Sequence, residues 1–193
     1  ATGQEAGVAV NASIAALARS LAAAAAASGE RRLLLLDGDA RWGLQAARVA
    51  VRALRTARGE PEATWLSARI GETGLPPQRA AELLGGESSI LVYDAHCGLD
   101  ADGLGAAAGT VRGGGLMILL TPSLAAWSSA GDPAAERIAV YPYGAADVGS
   151  RFIDRLARLL CGSPAVGRCP GPDRSPQSRT SPRRNGPAVA MPQ

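Results

Sequence analysis

Arg31-Arg32-Leu33-Leu34-Leu35-Leu36-Asp37-Gly38-Asp39 is the stretch on which the fold turns. A short unbroken apolar run stopped by Asp-Gly-Asp has the pattern of a strand buried on both faces, as at the centre of a parallel sheet. On its N-terminal side Ile14, Leu17, Leu21 and the alanines between them recur at helical spacing from Val10 to Ala27, and Gly29 supplies a stop. On its C-terminal side, from Trp42 to Arg58, Leu44, Ala47, Val51 and Leu54 form one stripe with Arg48, Arg52 and Arg55 opposite, before Gly59-Glu60-Pro61. That is an amphipathic helix.

Further along, Ala63–Ser67, Ser89–Tyr93 and Leu116–Leu120 read as strands, with helices predicted from Pro76-Pro77 to Leu84 and over Asp100–Val111. Arg137–Tyr141 is expected as a short edge strand, and Gly149–Leu160 as the closing helix. Alternation at this spacing predicts an α/β fold. The expected form is a three-layer Rossmann-like domain, with a mostly parallel sheet of about four or five strands flanked by helices.

Composition removes several chemistries. All 20 basic residues of the 193 are arginine. Without lysine there is no P-loop and no Schiff-base nucleophile. Seven aromatic residues (three Trp, three Tyr, one Phe) are too few for base-stacking platforms. Three widely spaced cysteines do not form a disulfide framework, so a cytoplasmic location is expected. The apolar run Val8–Ala27 contains Asn11 and Arg19, falls short of a continuous membrane span, and is read as a helix, with no membrane partner.

Charge divides the chain. Residues 161–193 carry five arginines against one acid, a net of +4, while residues 1–160 sum to −1. Seven of the 13 prolines also lie in those last 33 residues. The expected organisation is an α/β domain over residues 1–160 and a disordered Arg/Pro/Ser-rich tail over 161–193. The tail has the composition that wrong-frame reading of GC-rich DNA produces, so a frame-shifted or truncated end is expected. A first residue of Ala rather than Met suggests a trimmed start.

Polar residues collect at the strand ends: Asp37 and Asp39 after the first, Asp94 and His96 after the third, Thr121 after the fourth. In open α/β sheets ligands bind beyond these ends, so the five residues define a candidate crevice. Asp is equally at home as a helix cap or turn residue, and an isolated histidine as a structural hydrogen-bonding group. His96 and Cys97 are adjacent, and neighbours in an extended segment point apart, so they do not make a catalytic pair. Gly103-Leu104-Gly105-Ala106-Ala107-Ala108 spells a dinucleotide-like GxGxxA, but too far from its strand. With one histidine and no short cysteine pairing, no metal site is expected. Arg48, Arg52 and Arg55 are the candidate RNA contact on one helix face. No catalytic constellation is found.

Several segments together resemble one family. They are Arg31–Asp39 with Trp42, Leu83-Leu84-Gly85 leading to Ile90–Asp100, and Ala108–Gly115 leading to Leu120-Thr121-Pro122. With Tyr141-Pro142-Tyr143 and Arg151-Phe152-Ile153, they resemble the N-terminal domain of the bacterial tRNA(Met) cytidine acetyltransferases over about residues 31–160. The resemblance implies an accessory domain of an enzyme that forms N4-acetylcytidine at the wobble position of elongator tRNA(Met). In that enzyme a helicase-like ATPase module and a GNAT module carry the chemistry with acetyl-CoA and ATP/Mg. It implies no catalytic residue and no cofactor in this chain, which is expected to be inactive alone. The expected partners are those two modules and tRNA(Met). The competing expectation is a free-standing small-molecule or nucleotide-binding protein using the crevice.

Overall fold

The computed structural model describes residues 2–58, 63–71 and 74–172. Helix α1 (Thr2–Ser28) leads through Gly29, whose φ of 70° suits a residue without a side chain, into strand β1 (Arg32–Asp37). Helix α2 (Ala40–Arg58) and the short β2 (Thr64–Leu66) follow. A 3-10 segment, Pro77–Leu83, stands where an α-helix was expected and leads to β3 (Ser88–Asp94). Helix α3 (Ala101–Thr110), N-capped by Asp100, then runs straight into β4 (Val111–Thr121). The short α4 (Ala135–Ile138), α5 (Arg151–Gly162) and β5 (Val166–Pro170) complete the order.

The sheet has five strands in the order β2-β3-β4-β1-β5, and every pairing is parallel. Period-two alternation divides the leucine run between two cores. Leu34 and Leu36 join Ile14 and Ala18 of α1 and Ala47, Ala50 and Leu54 of α2 on one face. Leu35, Leu91, Tyr93 and Leu119 join Ala107 of α3, Trp127, and Ile153 and Leu160 of α5 on the other. The three-layer α/β reading therefore holds. β1 is apolar on both sides and lies inside the sheet between β4 and β5, but the middle strand is β4 and not β1 as expected.

Three expectations fail. Arg137–Tyr141 is not an edge strand, because its first part belongs to the short helix α4. The edge beside β1 is formed by β5, which lies inside the stretch expected to be a disordered tail. Val166–Pro170 pairs in parallel with Leu33–Asp37, so the domain reaches at least Pro172 rather than ending at 160. A five-residue strand holding one glycine has too little pattern to stand out from a proline-rich context. Residues 173–193 lie outside the described residues. Thirdly, Gly7–Ser28 of α1 is long and apolar enough, by length and composition, to cross a membrane, contrary to the sequence reading. Its Ile14, Ala18, Ala22 and Ala25 are buried in the domain.

Candidate functional site

The connection leaving β1 runs to one edge of the sheet and the connection leaving β4 to the other, on opposite faces, so the loops part at the C-terminal ends of these neighbours. Such a switch point is where α/β sheets open a crevice. A hollow of about 330 Å³ lies there, lined by Asp39, Ala40, His96, Pro122, Trp127 and Asp132 among others. Of the five residues expected to line a crevice, Asp39 and His96 reach it.

The other three are turned to internal use or closed off. Asp37 is 2% exposed and receives both arms of the Arg168 guanidinium, Nε to Oδ1 at 3.0 Å and Nη2 to Oδ2 at 2.6 Å. The backbone joins in: Gly171 N–H donates to the Asp37 carbonyl at 2.7 Å, and Asp39 N–H to that of Pro172 at 3.0 Å. Residues 168–172 thus form a strap over the end of β1. A Cβ on Gly171 would overlap the Trp42 ring, and one on Gly38 would lie 2.9 Å from the Gly171 Cα, so this close approach requires both glycines.

Asp94, fully buried, gathers donors from three sides. Arg69 grips it with Nε to Oδ2 at 2.7 Å and Nη2 to Oδ1 at 2.9 Å, while its third nitrogen donates to the Ala40 carbonyl at 2.6 Å. The Ser67 hydroxyl adds a bond of 2.6 Å, and the His96 backbone N–H one of 3.2 Å. Burial works against the Arg69 charge, but hydrogen bonding and attraction to Asp94 outweigh it and raise its pKa. Asp39 caps α2 by accepting from the backbone N–H groups of Arg41 (3.0 Å) and Trp42 (2.9 Å). Thr121 is fully buried, its hydroxyl without a partner among the described residues.

His96 and Cys97 are not an activated pair. Burial pushes the His96 pKa below its usual value, Asp94 opposing, so the ring is neutral. Burial and then Asp94 push the Cys97 thiol up, which keeps it protonated. His96 is the only histidine, which makes it a clean probe. Unfolded, it takes a proton near pH 6.5; folded, it takes one only at lower pH, so its stabilising contribution is complete above about pH 6.5 and is lost as the pH falls through the folded value. The urea midpoint is expected to fall between pH 7 and pH 5, and His96→Gln to flatten that interval. Identical pH profiles for the two proteins would contradict the half-buried neutral ring.

A larger cleft of about 730 Å³ lies elsewhere, between the loop after β4 and α5, where Asp100, Asp132, Arg137, Ile138 and Phe152 contribute. Arg137 pairs with Asp100 there at 3.2 Å. No group of three or more His, Cys, Asp or Glu able to hold a metal ion occurs among the described residues. Arg69 and Arg168, which determine what the carboxylates at the ends of β1 and β3 do, were not singled out in the sequence; no local pattern marks a partner 25 or 131 residues away.

Comparison with known proteins bears on this geometry. A family model described as tRNA(Met) cytidine acetyltransferase TmcA, N-terminal, matches residues 10–168, which runs from α1 into β5. The chain belongs to this family. The match takes in Arg168, so the strand that closes the sheet lies within the family region. Among curated relatives, the tRNA(Met) cytidine acetyltransferase TmcA of Nitrosococcus halophilus is 46% identical over 73% of the chain, and that of Haloferax volcanii 44% over 74%. The enzyme of Citrobacter koseri is 37% identical over 74%. The matched region is only 19–20% of each of these relatives, so the chain spans about a fifth of their length.

Proposed function

We propose that the chain is a non-catalytic accessory domain of a tRNA(Met) cytidine acetyltransferase, and that it docks the remaining modules of that enzyme, the helicase-like ATPase and the GNAT module. The observation that carries this is a set of exposed large apolar side chains in the segment from α4 to α5, two of which line the larger cleft. Val140 is 73% and Tyr141 94% exposed, and Ile138, Tyr143, Phe152 and Leu159 are about half exposed or more. Ile138 and Phe152 line the cleft, and Phe152 and Leu159, seven residues apart, share one stripe of α5. Exposed large apolar groups in one such segment favour an interaction surface. The occupant is the rest of the enzyme, because the relatives continue for four times the matched length and α5 lies directly before the end of the matched region.

The residues present do not suit ATP or acetyl-CoA. The hollow at the strand ends offers Asp39 and Asp132 to a phosphate, the start of α2 is already capped by Asp39, and the chain has no lysine. No step through either group is assigned to this domain. The same facts weigh against a free-standing nucleotide-binding protein.

The docking role is tested by mixing this chain with the Nitrosococcus halophilus enzyme lacking its matching region. A stable complex is expected on size exclusion, weakened at least tenfold by the double variant Tyr141→Ser/Phe152→Ser at unchanged melting temperature. Failure of the unaltered chain to associate would count against the proposal.

A further inference from the structure

Charge within the domain is segregated in a way its near-neutral sum conceals. Helix α2 contains Arg41, Arg48, Arg52, Arg55 and Arg58 and no carboxylate, whereas residues 1–160 together sum to −1. Everything in that stretch apart from α2 therefore carries −6. Helix α1, packed beside α2, adds Arg19 and has Glu5 as its single acid. Arg19, Arg48 and Arg52 are exposed, and none of them is in an ion pair among the described residues. Arg48, Arg52 and Arg55 follow one another at four and three residues, a row about 10 Å long on one side of the helix.

Between the two helices runs a shallow hollow of about 570 Å³. Arg19 and Arg52 stand on its walls, and Ala15, Ala53, Asn11 and Thr56 are among the small or polar residues that line it. Small side chains let a chain of phosphates approach closely, and the guanidinium forks suit phosphate oxygens.

We propose that the α1–α2 face, through Arg19, Arg48 and Arg52, binds the phosphodiester backbone of double-helical RNA. The choice of RNA over another polyanion rests on the family reading above. No aromatic residue lies on the exposed side of either helix, since the one aromatic in them, Trp42, is packed against Gly38 and Gly171. The face therefore holds a stem by its backbone and does not read bases. It lies on the layer of the sheet opposite α5, so RNA and the docked modules do not compete for one surface.

The test uses this chain with two probes, an unmodified tRNA(Met) transcript and an unrelated RNA hairpin of similar length. Binding followed by fluorescence anisotropy should show no preference between them, with log K falling against log salt at a slope of about −3. The triple variant Arg19→Ala/Arg48→Ala/Arg52→Ala should lose at least tenfold in affinity at 50 mM salt for both probes, its slope should shrink by about one per residue, and its melting temperature should not change. Two control variants remove other arginines: Arg151→Ala/Arg155→Ala/Arg158→Ala on α5, and Arg174→Ala/Arg179→Ala/Arg183→Ala/Arg184→Ala beyond the described residues. The proposal is overturned if the unaltered chain does not bind at 50 mM salt, if the triple variant binds as it does, or if only a control variant loses affinity. It is also overturned if the triple variant keeps its RNA affinity but no longer associates with the truncated relative, because the face would then serve an acidic protein surface. The docking assay is read separately, so loss of the RNA contact leaves the accessory-domain reading standing.

Discussion

Arg69→Met will destabilise the domain by about 3 kcal/mol. Removing one partner of a buried ion pair typically costs about 3–5 kcal/mol, because the remaining charge stays out of water without its counter-ion. Asp94 is 0% exposed on its side chain and Arg69 27%, so water reaches one side of the pair and the lower end of that range applies. The loss is compounded at the Ala40 carbonyl, which forfeits its bond from Arg69, and it is moderated by Ser67 and the His96 N–H, which still donate to the carboxylate. The double variant Arg69→Met/Asp94→Asn should recover part of the loss, because the stranded charge is then gone. Urea denaturation of the four proteins of this cycle gives the coupling directly. A single-variant cost below about 1 kcal/mol would show that Asp94 does not depend on Arg69.

Ending the chain at Ser163 will abolish cooperative folding, whereas ending it at Pro172 will not. The shorter chain loses β5, which turns β1 into an edge strand whose leucine side chains are apolar on both faces and whose outer backbone N–H and C=O groups have lost their partners. A handful of ladder hydrogen bonds at about 1 kcal/mol net each disappears, together with the Arg168 cover over Asp37 and the packing of Leu21 on Gly167 and Trp42 on Gly171. Against a total stability of about 5–15 kcal/mol for a domain, that loss leaves little. Thermal melts followed by circular dichroism distinguish the two. A chain ended at Ser163 that melts within a few degrees of the one ended at Pro172 would show that β5 is dispensable.

The layered architecture was legible because both of its periodicities are local. Two-residue alternation within the apolar runs assigns Leu34 and Leu36 to one core and Leu35 to the other, and the 3.6-residue stripe of Leu44, Ala47, Val51 and Leu54 assigns α2 to its face. The arginines opposite that stripe were visible for the same reason. Composition alone also excluded lysine-dependent chemistry. What the strand-end carboxylates do was not legible. Asp37 and Asp94 look alike in the chain, each closing an apolar run, and either could have faced a ligand. Only the tertiary structure brings Arg168 to the first and Arg69 to the second, because parallel register and loop closure, not neighbouring residues, determine which guanidinium reaches which carboxylate. The same holds for β5, whose five residues have no pattern of their own and become a strand only where the exposed edge of β1 offers them a partner.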